Sequence, residues 1–228
     1  MEQAMGWMQA VRPPIQRAAW SVILPATMPA ADVEAIDAVL KGDIERYAEL
    51  VDRYQRPARR LAFGLLGNEE DAKDAAQEAF VRAYRSLRQF RLGAQFSTWL
   101  YRIVVNVSHD LRRRRMRQPL PASTMDSAEA SSDGASLFVE VPDPSADPSQ
   151  RAQAHELGCR ISRAIDALSS QQRTAFILHQ VQGMPLYEVA GVMRCRVGTV
   201  KSHVFRATDS LRRQLEPWMT QERTAWTG

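Results

Sequence analysis

Apolar residues recur every three or four positions along most of the chain. Ile44, Tyr47, Val51 and Tyr54 form one such series. Ala76, Phe80, Ala83, Leu87 and Phe90 form a second, and Phe96, Leu100, Ile103, Val107 and Leu111 a third. A repeat of about 3.6 residues places each series on one side of a helix. No run alternates with period two and hairpin dipeptides are nearly absent, so strands are not expected. Gly67-Asn68 and Gly93-Ala94 read as breaks between helices. Beyond Arg151 the pattern resumes with Ile161, Ile165 and Leu168, then Ala175, Leu178 and Val181. Leu186–Met193 reads as a short helix, Arg194-Cys195-Arg196 as a turn, and Val197–Leu215 as a second helix with Val200, Val204, Ala207 and Leu211 inward. Two helices joined by so short a turn suggest a helix-turn-helix. The expected fold is all-α.

Charge divides the helical blocks. Arg85–Arg117 holds nine arginines and one acid, Asp110. Residues 118–150 hold six acids and no Lys or Arg, with Pro119, Pro121, Pro142, Pro144 and Pro148. That composition cannot bury enough apolar surface to offset its ordering entropy, so it reads as a flexible acidic linker. The divisions expected are an extension over 1–35, a helical domain over 36–117, the linker over 118–152, a second helical domain over 153–217, and a tail over 218–228. The 228 residues carry a net charge of only +4, so the distribution of charge matters more than its sum. Ala18–Ala31 is apolar but interrupted by Pro25 and Pro29, and is shorter than the ~20 residues a membrane helix needs. It follows Arg12 and Arg17 and ends in small residues, a weak likeness to a secretion signal; a loosely packed extension is the preferred reading. Two distant cysteines, Cys159 and Cys195, fit neither a metal motif nor a disulfide framework, which favours a reducing, cytoplasmic compartment.

The candidate chemistry is recognition rather than catalysis. On the last helix, Lys201, Ser202, Phe205, Arg206 and Asp209 fall away from the inward stripe. Lys201, Ser202 and Arg206 can face a major groove, and Thr199 can meet a phosphate near the helix start. A basic, solvated helix pair in an unrelated bundle fits the spacing equally well. The wording goes further. Gly-Met-Pro-Leu-Tyr-Glu-Val-Ala (183–190) and Val-Gly-Thr-Val-Lys-Ser-His-Val-Phe-Arg-Ala (197–207) closely resemble region 4 of bacterial sigma factors. Gly42-Asp43, the run Asp74–Tyr84, and Phe96-Ser-Thr-Trp-Leu-Tyr-Arg-Ile103 with Asn106 resemble region 2 of the extracytoplasmic-function class, particularly its sigma-E type.

The resemblance implies a sigma factor that binds core RNA polymerase through the beta-prime and beta subunits and reads promoter DNA. Its core-binding face would be Asp74, Gln77, Glu78, Val81 and Arg85, whose acidic, partly apolar surface suits docking on basic helices. Its −10 strand surface would be Ser86, Phe90, Phe96, Trp99, Arg102, Asn106 and Arg113, with a base pocket around Ser86, Phe90 and Asn106 closed by the Gly93–Phe96 loop. Aromatics among arginines can stack bases and hold phosphates; Phe90, Phe96 and Trp99 fit a hydrophobic core as well. Arg112–Arg115 and Arg117 would grip phosphate. The −35 surface would be Arg196, Thr199, Lys201, Ser202, His203 and Arg206. Lys201 and His203 stand where the family often has Arg, and Lys lacks the planar two-pronged contact of Arg, so a shifted −35 preference is expected. An anti-sigma factor, often membrane-bound in the family, is a further implied partner.

No cofactor, metal site or enzymatic activity is expected. His109, His155, His179 and His203 are scattered, and neither a Walker A nor a nucleophile-elbow pattern occurs. The rivals are a polymerase-independent helix-turn-helix regulator and a DNA enzyme that uses the basic block to hold substrate.

Overall fold

In the computed structural model, which describes residues 28–91, 95–117 and 148–225, every regular element among the described residues is helical. The amino-terminal module holds α1 (Ala30–Leu40), α2 (Tyr47–Leu66), α3 (Glu69–Ser86) and α4 (Phe96–Arg117), with 3-10 turns at Ile44–Arg46 and Leu87–Gln89. The carboxy-terminal module holds α5 (Pro148–Asp166), α6 (Ser170–Phe176) continuing into a π turn (Ile177–Val181), α7 (Leu186–Met193) and α8 (Val197–Ala225).

Helices α2, α3 and α4 pack against one another. The buried side of α3 is Ala72, Ala75, Ala76, Ala79 and Ala83 with one large residue, Phe80. Alanine loses no side-chain entropy on burial and lets helix axes approach closely. The larger residues come from the neighbours: Leu50, Leu61, Phe96, Leu100 and Val104 are fully buried, and each such side chain contributes roughly 1.5–3 kcal/mol. Gly67 ends α2 in the left-handed conformation (φ 80°), which glycine adopts without steric cost. Asn68 then caps α3 by accepting from the Asp71 backbone N–H at 2.8 Å, and Glu69, Glu70 and Asp71 complement the positive helix end. In the second module Ser169 and Gln172 form a reciprocal capping box at α6.

Several boundaries differ from the expectation. Helix α1 crosses the division at residue 35, because the buried Asp32 carboxylate pairs with Arg53 and accepts a hydrogen bond from the Tyr54 hydroxyl of α2. Helix α5 starts at Pro148, inside the proposed linker; a proline that punctuates a loop is equally suited to a first helical turn. Helix α8 runs on to Ala225, and α2 likewise continues through Pro57. Ile44, assigned to the inward stripe, is 61% exposed. The 3-10 turn there has three residues per turn, so the phase of the stripe slips before α2 and Leu50 fills the core. The extension before residue 28 and most of the acidic linker lie outside the described residues.

The modules touch. Helix α4 packs on α7, and α2 on the π turn. Arg112 of α4 donates to Asp166 Oδ1 at 3.1 Å and to the Leu65 carbonyl at 3.2 Å. His109 Nε2 lies 3.0 Å from Ser170 Oγ and 3.1 Å from Thr174 Oγ1. Buried side chains of both modules belong to one cluster.

Asp32→Ala should lower stability by about 2 kcal/mol through loss of hydrogen bonds to a buried charge. Thermal denaturation should show a drop in Tm of several degrees, and an unchanged Tm would refute this anchoring of α1.

Candidate nucleic-acid interface

Val200, Val204, Ala207 and Leu211 anchor α8 in the second module, which turns the rest of the helix outward. Arg196, Thr199, Lys201, Ser202 and Arg206 are exposed, and His203 is half-buried at the flank. The Ser202 hydroxyl donates to the Gly198 carbonyl at 3.0 Å, leaving its lone pairs outward. Asp209, the acid nearest Lys201 and Arg206, is paired with Arg213 at 2.6 Å. Arg194 closes α7 with φ 52°, a left-handed conformation uncommon for residues other than glycine. The turn thus holds Arg194 and Arg196 on either side of the half-buried Cys195. Phe205 is 73% exposed within this basic face. The helical pattern had placed it outward, but charge-based reasoning left it out of the recognition set.

Helix α4 carries the second cluster. Phe96 is fully buried, with Phe90, Trp99 and Tyr54 rings 5.8, 5.7 and 5.4 Å away, centre to centre. Phe96 therefore supports this surface and has no face left for a base, which corrects its assignment as a DNA contact. Phe90 is 8% exposed and is mostly core as well, while Trp99 is half-exposed. Ser86 donates to the Arg82 carbonyl at 2.6 Å. Asn106 is exposed beside half-buried Arg102, and Arg113 is exposed with an ion pair to Asp110 at 2.5 Å. Residues 92–94 of the proposed closing loop lie outside the described residues. The arginine run is more engaged than its composition suggests: besides Arg112 and Arg113, Arg115 pairs with Asp71 at 2.7 Å.

A third surface is a groove of about 610 Å³ between α3 and α4. Asp74, Gln77, Glu78 and Val81 line its α3 side, with Val107, Asp110, Leu111 and Arg114 opposite. Val81 is 42% exposed. Arg82 pairs with Glu78 at 2.7 Å, so the face is mixed in charge rather than purely acidic. Arg85, expected in the same set, is exposed but outside the groove lining.

Residues 50–118 match the model for sigma-70 region 2, and residues 160–211 the model for sigma-70 region 4. The chain is 34% identical over 180 residues to the ECF RNA polymerase sigma factor SigW of Bacillus subtilis, covering 79% of this chain and 94% of that relative. The chain belongs to the extracytoplasmic-function sigma factors. It is likewise 34% identical over 187 residues to the ECF RNA polymerase sigma-E factor of Escherichia coli, covering 82% of this chain and 95% of the relative. In overall fold this sigma factor resembles CnrH, solved in complex with the cytosolic domain of CnrY, with TM-score 0.58, 22% identity, and coverage of 82% of this chain and 98% of that one. It also resembles the sigma factor RpoE of Bartonella quintana, solved with the anti-sigma factor NepR, with TM-score 0.53, 24% identity, and coverage of 75% and 96%. Sigma factors are DNA-binding initiation factors that act with core RNA polymerase and are not enzymes. Among the described residues of this sigma factor, no helix is long and apolar enough to cross a membrane, and no three His, Cys, Asp or Glu are grouped to hold a metal.

Where the modules meet, burial and the surrounding Arg113 and Arg173 guanidiniums hold the His109 imidazole below its usual pKa, with Arg112 adding to this and Asp110 opposing it. Above the ordinary value of 6.5 both folded and unfolded forms are neutral. As pH falls through 6.5 the unfolded imidazole takes its proton first, so stability is lost until the pH is below the folded value. Thermal stability of the sigma factor should therefore fall from pH 7.5 to 5.5, and His109→Gln should shrink the fall; an identical decline in the variant would exclude His109 as a source.

Proposed function

We propose that this sigma factor gives RNA polymerase its choice of start site by using the three surfaces in turn. The observation that carries the reading is the outward face of α8: Arg196, Thr199, Lys201, Ser202 and Arg206 are exposed together on one anchored helix. A helix so placed can lie in a major groove, where Lys and Arg read guanine edges and hold phosphates. Phe205 adds an apolar contact suited to a thymine methyl group. This face reads the −35 element as duplex.

The groove edged by Asp74, Gln77, Glu78 and Val81, with Arg85 nearby, docks on core polymerase. Its size, exposed valine and paired charges suit a helical partner. The −10 non-template strand is taken by Trp99, Arg102, Asn106 and Arg113, on a platform made rigid by Phe90 and Phe96. The Asn106 amide offers both donors and an acceptor to a base edge. Stacking contributes about 1–3 kcal/mol per base, which offsets melting without nucleotide hydrolysis. The resemblance to sigma factors solved with an anti-sigma factor and with a cytosolic domain supports an anti-sigma partner for this chain as well, and a cytoplasmic site of action. The functional divisions are the two modules, α1 to α4 for region 2 and α5 to α8 for region 4.

Purified core polymerase with this chain should give specific run-off transcripts from a genomic promoter library, and no gain in selectivity would overturn the reading. Tight operator binding without core would instead favour a stand-alone regulator. Lys201→Ala and Phe205→Ala should each reduce −35-dependent transcription about tenfold, as loss of a base contact does (roughly 1–3 kcal/mol). Asn106→Ala should weaken discrimination at −10 while leaving core binding unchanged in a pull-down. Glu78→Lys should do the reverse.

A further inference from the structure

We propose that Tyr54 of α2 is a positioning residue for −10 recognition: tied at its hydroxyl to Asp32 of α1, it holds the Phe96 ring in place against Trp99. The proposal rests on the reading of α4 as the −10 surface. The Phe90–Phe96, Phe96–Trp99 and Phe90–Trp99 ring centres are 5.8, 5.7 and 5.2 Å apart, so the three rings close a triangle. Phe96 is its fully buried corner and Trp99 its half-exposed one. Outside the triangle, the Tyr54 ring stands 5.4 Å from Phe96 and is tilted by 54°. The Tyr54 hydroxyl donates to Asp32 Oδ2, and the Arg53 guanidinium donates to Asp32 Oδ1. Asp32 is fully buried, and its carboxylate is held at both oxygens. A ring fixed at its hydroxyl and against a neighbouring ring cannot change rotamer without breaking one of those contacts.

The tie gives direction as well as filling space. Phenylalanine would occupy nearly the same volume, so what the hydroxyl adds is a fixed orientation. Burial, with the hydrogen bond to Asp32 adding to it, raises the Tyr54 phenol above its ordinary pKa, so the hydroxyl keeps the proton it donates. A buried carboxylate is costly unless it is paired. Two consecutive residues of α2 pair this one, and the second of them carries the constraint on to Phe96. Helix α1 reaches the triangle by another route as well. It packs on the 3-10 turn Leu87–Gln89, and the Phe90 N–H closes that turn on the Leu87 carbonyl at 3.0 Å. Phe90 and Phe96 are therefore both braced from α1, and Trp99 takes its position from them. The match to sigma-70 region 2 begins at residue 50, so Asp32 lies ahead of the matched segment. A recognition site needs its supporting residues held to about 0.5 Å, and α1 supplies that support from outside the strand surface.

The test uses the full chain with core polymerase, well below the Tm of every variant, on the strongest promoter that the wild-type chain selects. Discrimination is the run-off ratio between that promoter and a copy whose −10 bases are exchanged, A for C and T for G. Tyr54→Phe keeps the ring and cuts the tie. It should lower −10 discrimination about fivefold, the lower end of what one stacked base contributes. The matching ratio for exchanged −35 bases and the core pull-down should not change. In a Trp99→Ala background Tyr54→Phe should have no further effect, because the side chain it positions is gone. Asp32→Ala should match Tyr54→Phe, and the two together should lose no more than either alone, since both cut one tie. Should Asp32→Ala fail to fold, Tyr54→Phe in the two backgrounds decides. Equal losses at −10 and −35, or the same loss with and without Trp99, would mean a merely structural part and overturn the proposal, as would unchanged discrimination in Tyr54→Phe. Trp99→Ala is also scored alone. If it leaves −10 discrimination intact, the reading of α4 fails and the positioning role with it; if it loses discrimination while Tyr54→Phe does not, only the positioning role fails.

Discussion

Burial of Phe96, Leu100 and Val104 against α2 and α3 orients everything else that α4 carries. One helix serves as the core of the first module on one side and meets the second module along another. The aromatic cluster around Phe96 makes this possible, because three rings within 6 Å of it leave the start of α4 little freedom. A recognition surface works only when its supporting shell is rigid. Here the shell is aromatic and alanine-rich, and the polar residues projecting from it inherit that rigidity.

Charge follows the same division of labour. The net charge is small, and much of the arginine run at the end of α4 is used within the protein. Arg112 ties Asp166 and the end of α2, and Arg115 ties Asp71 at the start of α3. Arg173, almost fully buried, donates to the carbonyls of Ile165, Asp166 and Leu168 and so finishes α5. On α8, by comparison, Lys201 and Arg206 project outward and the nearby Asp209 is already paired. Basic residues therefore act as internal ties in one place and as an outward field in another, and composition alone does not separate these uses.

Local signals were the legible ones. The limits of α7 and the start of α8 agree with the stripe and turn residues, since Arg194 and the inward valines act within one or two helical turns. The break at Gly67-Asn68 was readable because a left-handed glycine and an asparagine cap are short-range devices. Ile44 was misplaced because a single 3-10 turn shifts helical phase without leaving a compositional mark. Phe96 could not be divided between core and DNA from spacing alone, since both uses want an aromatic at that position. The module contact was invisible: Gly64 meets Ile177, and His109 meets Ser170 and Thr174, across long separations that no periodicity links. Of the candidate surfaces, exposure on α8 and along the α3 groove was readable from helical geometry. The partners that engage Ser86, Arg112 and Arg115 were not.

The glycine at position 64 has a consequence for how such proteins can be recombined. Because the neighbouring isoleucine fills the space a side chain would take, the two halves are matched by shape, one residue to another. A chimera joining this first half to the second half of a relative inherits that fit only if the relative brings a side chain of the right bulk. The halves are thus not freely exchangeable parts, and shuffling them changes how the protein holds itself as well as which DNA it reads.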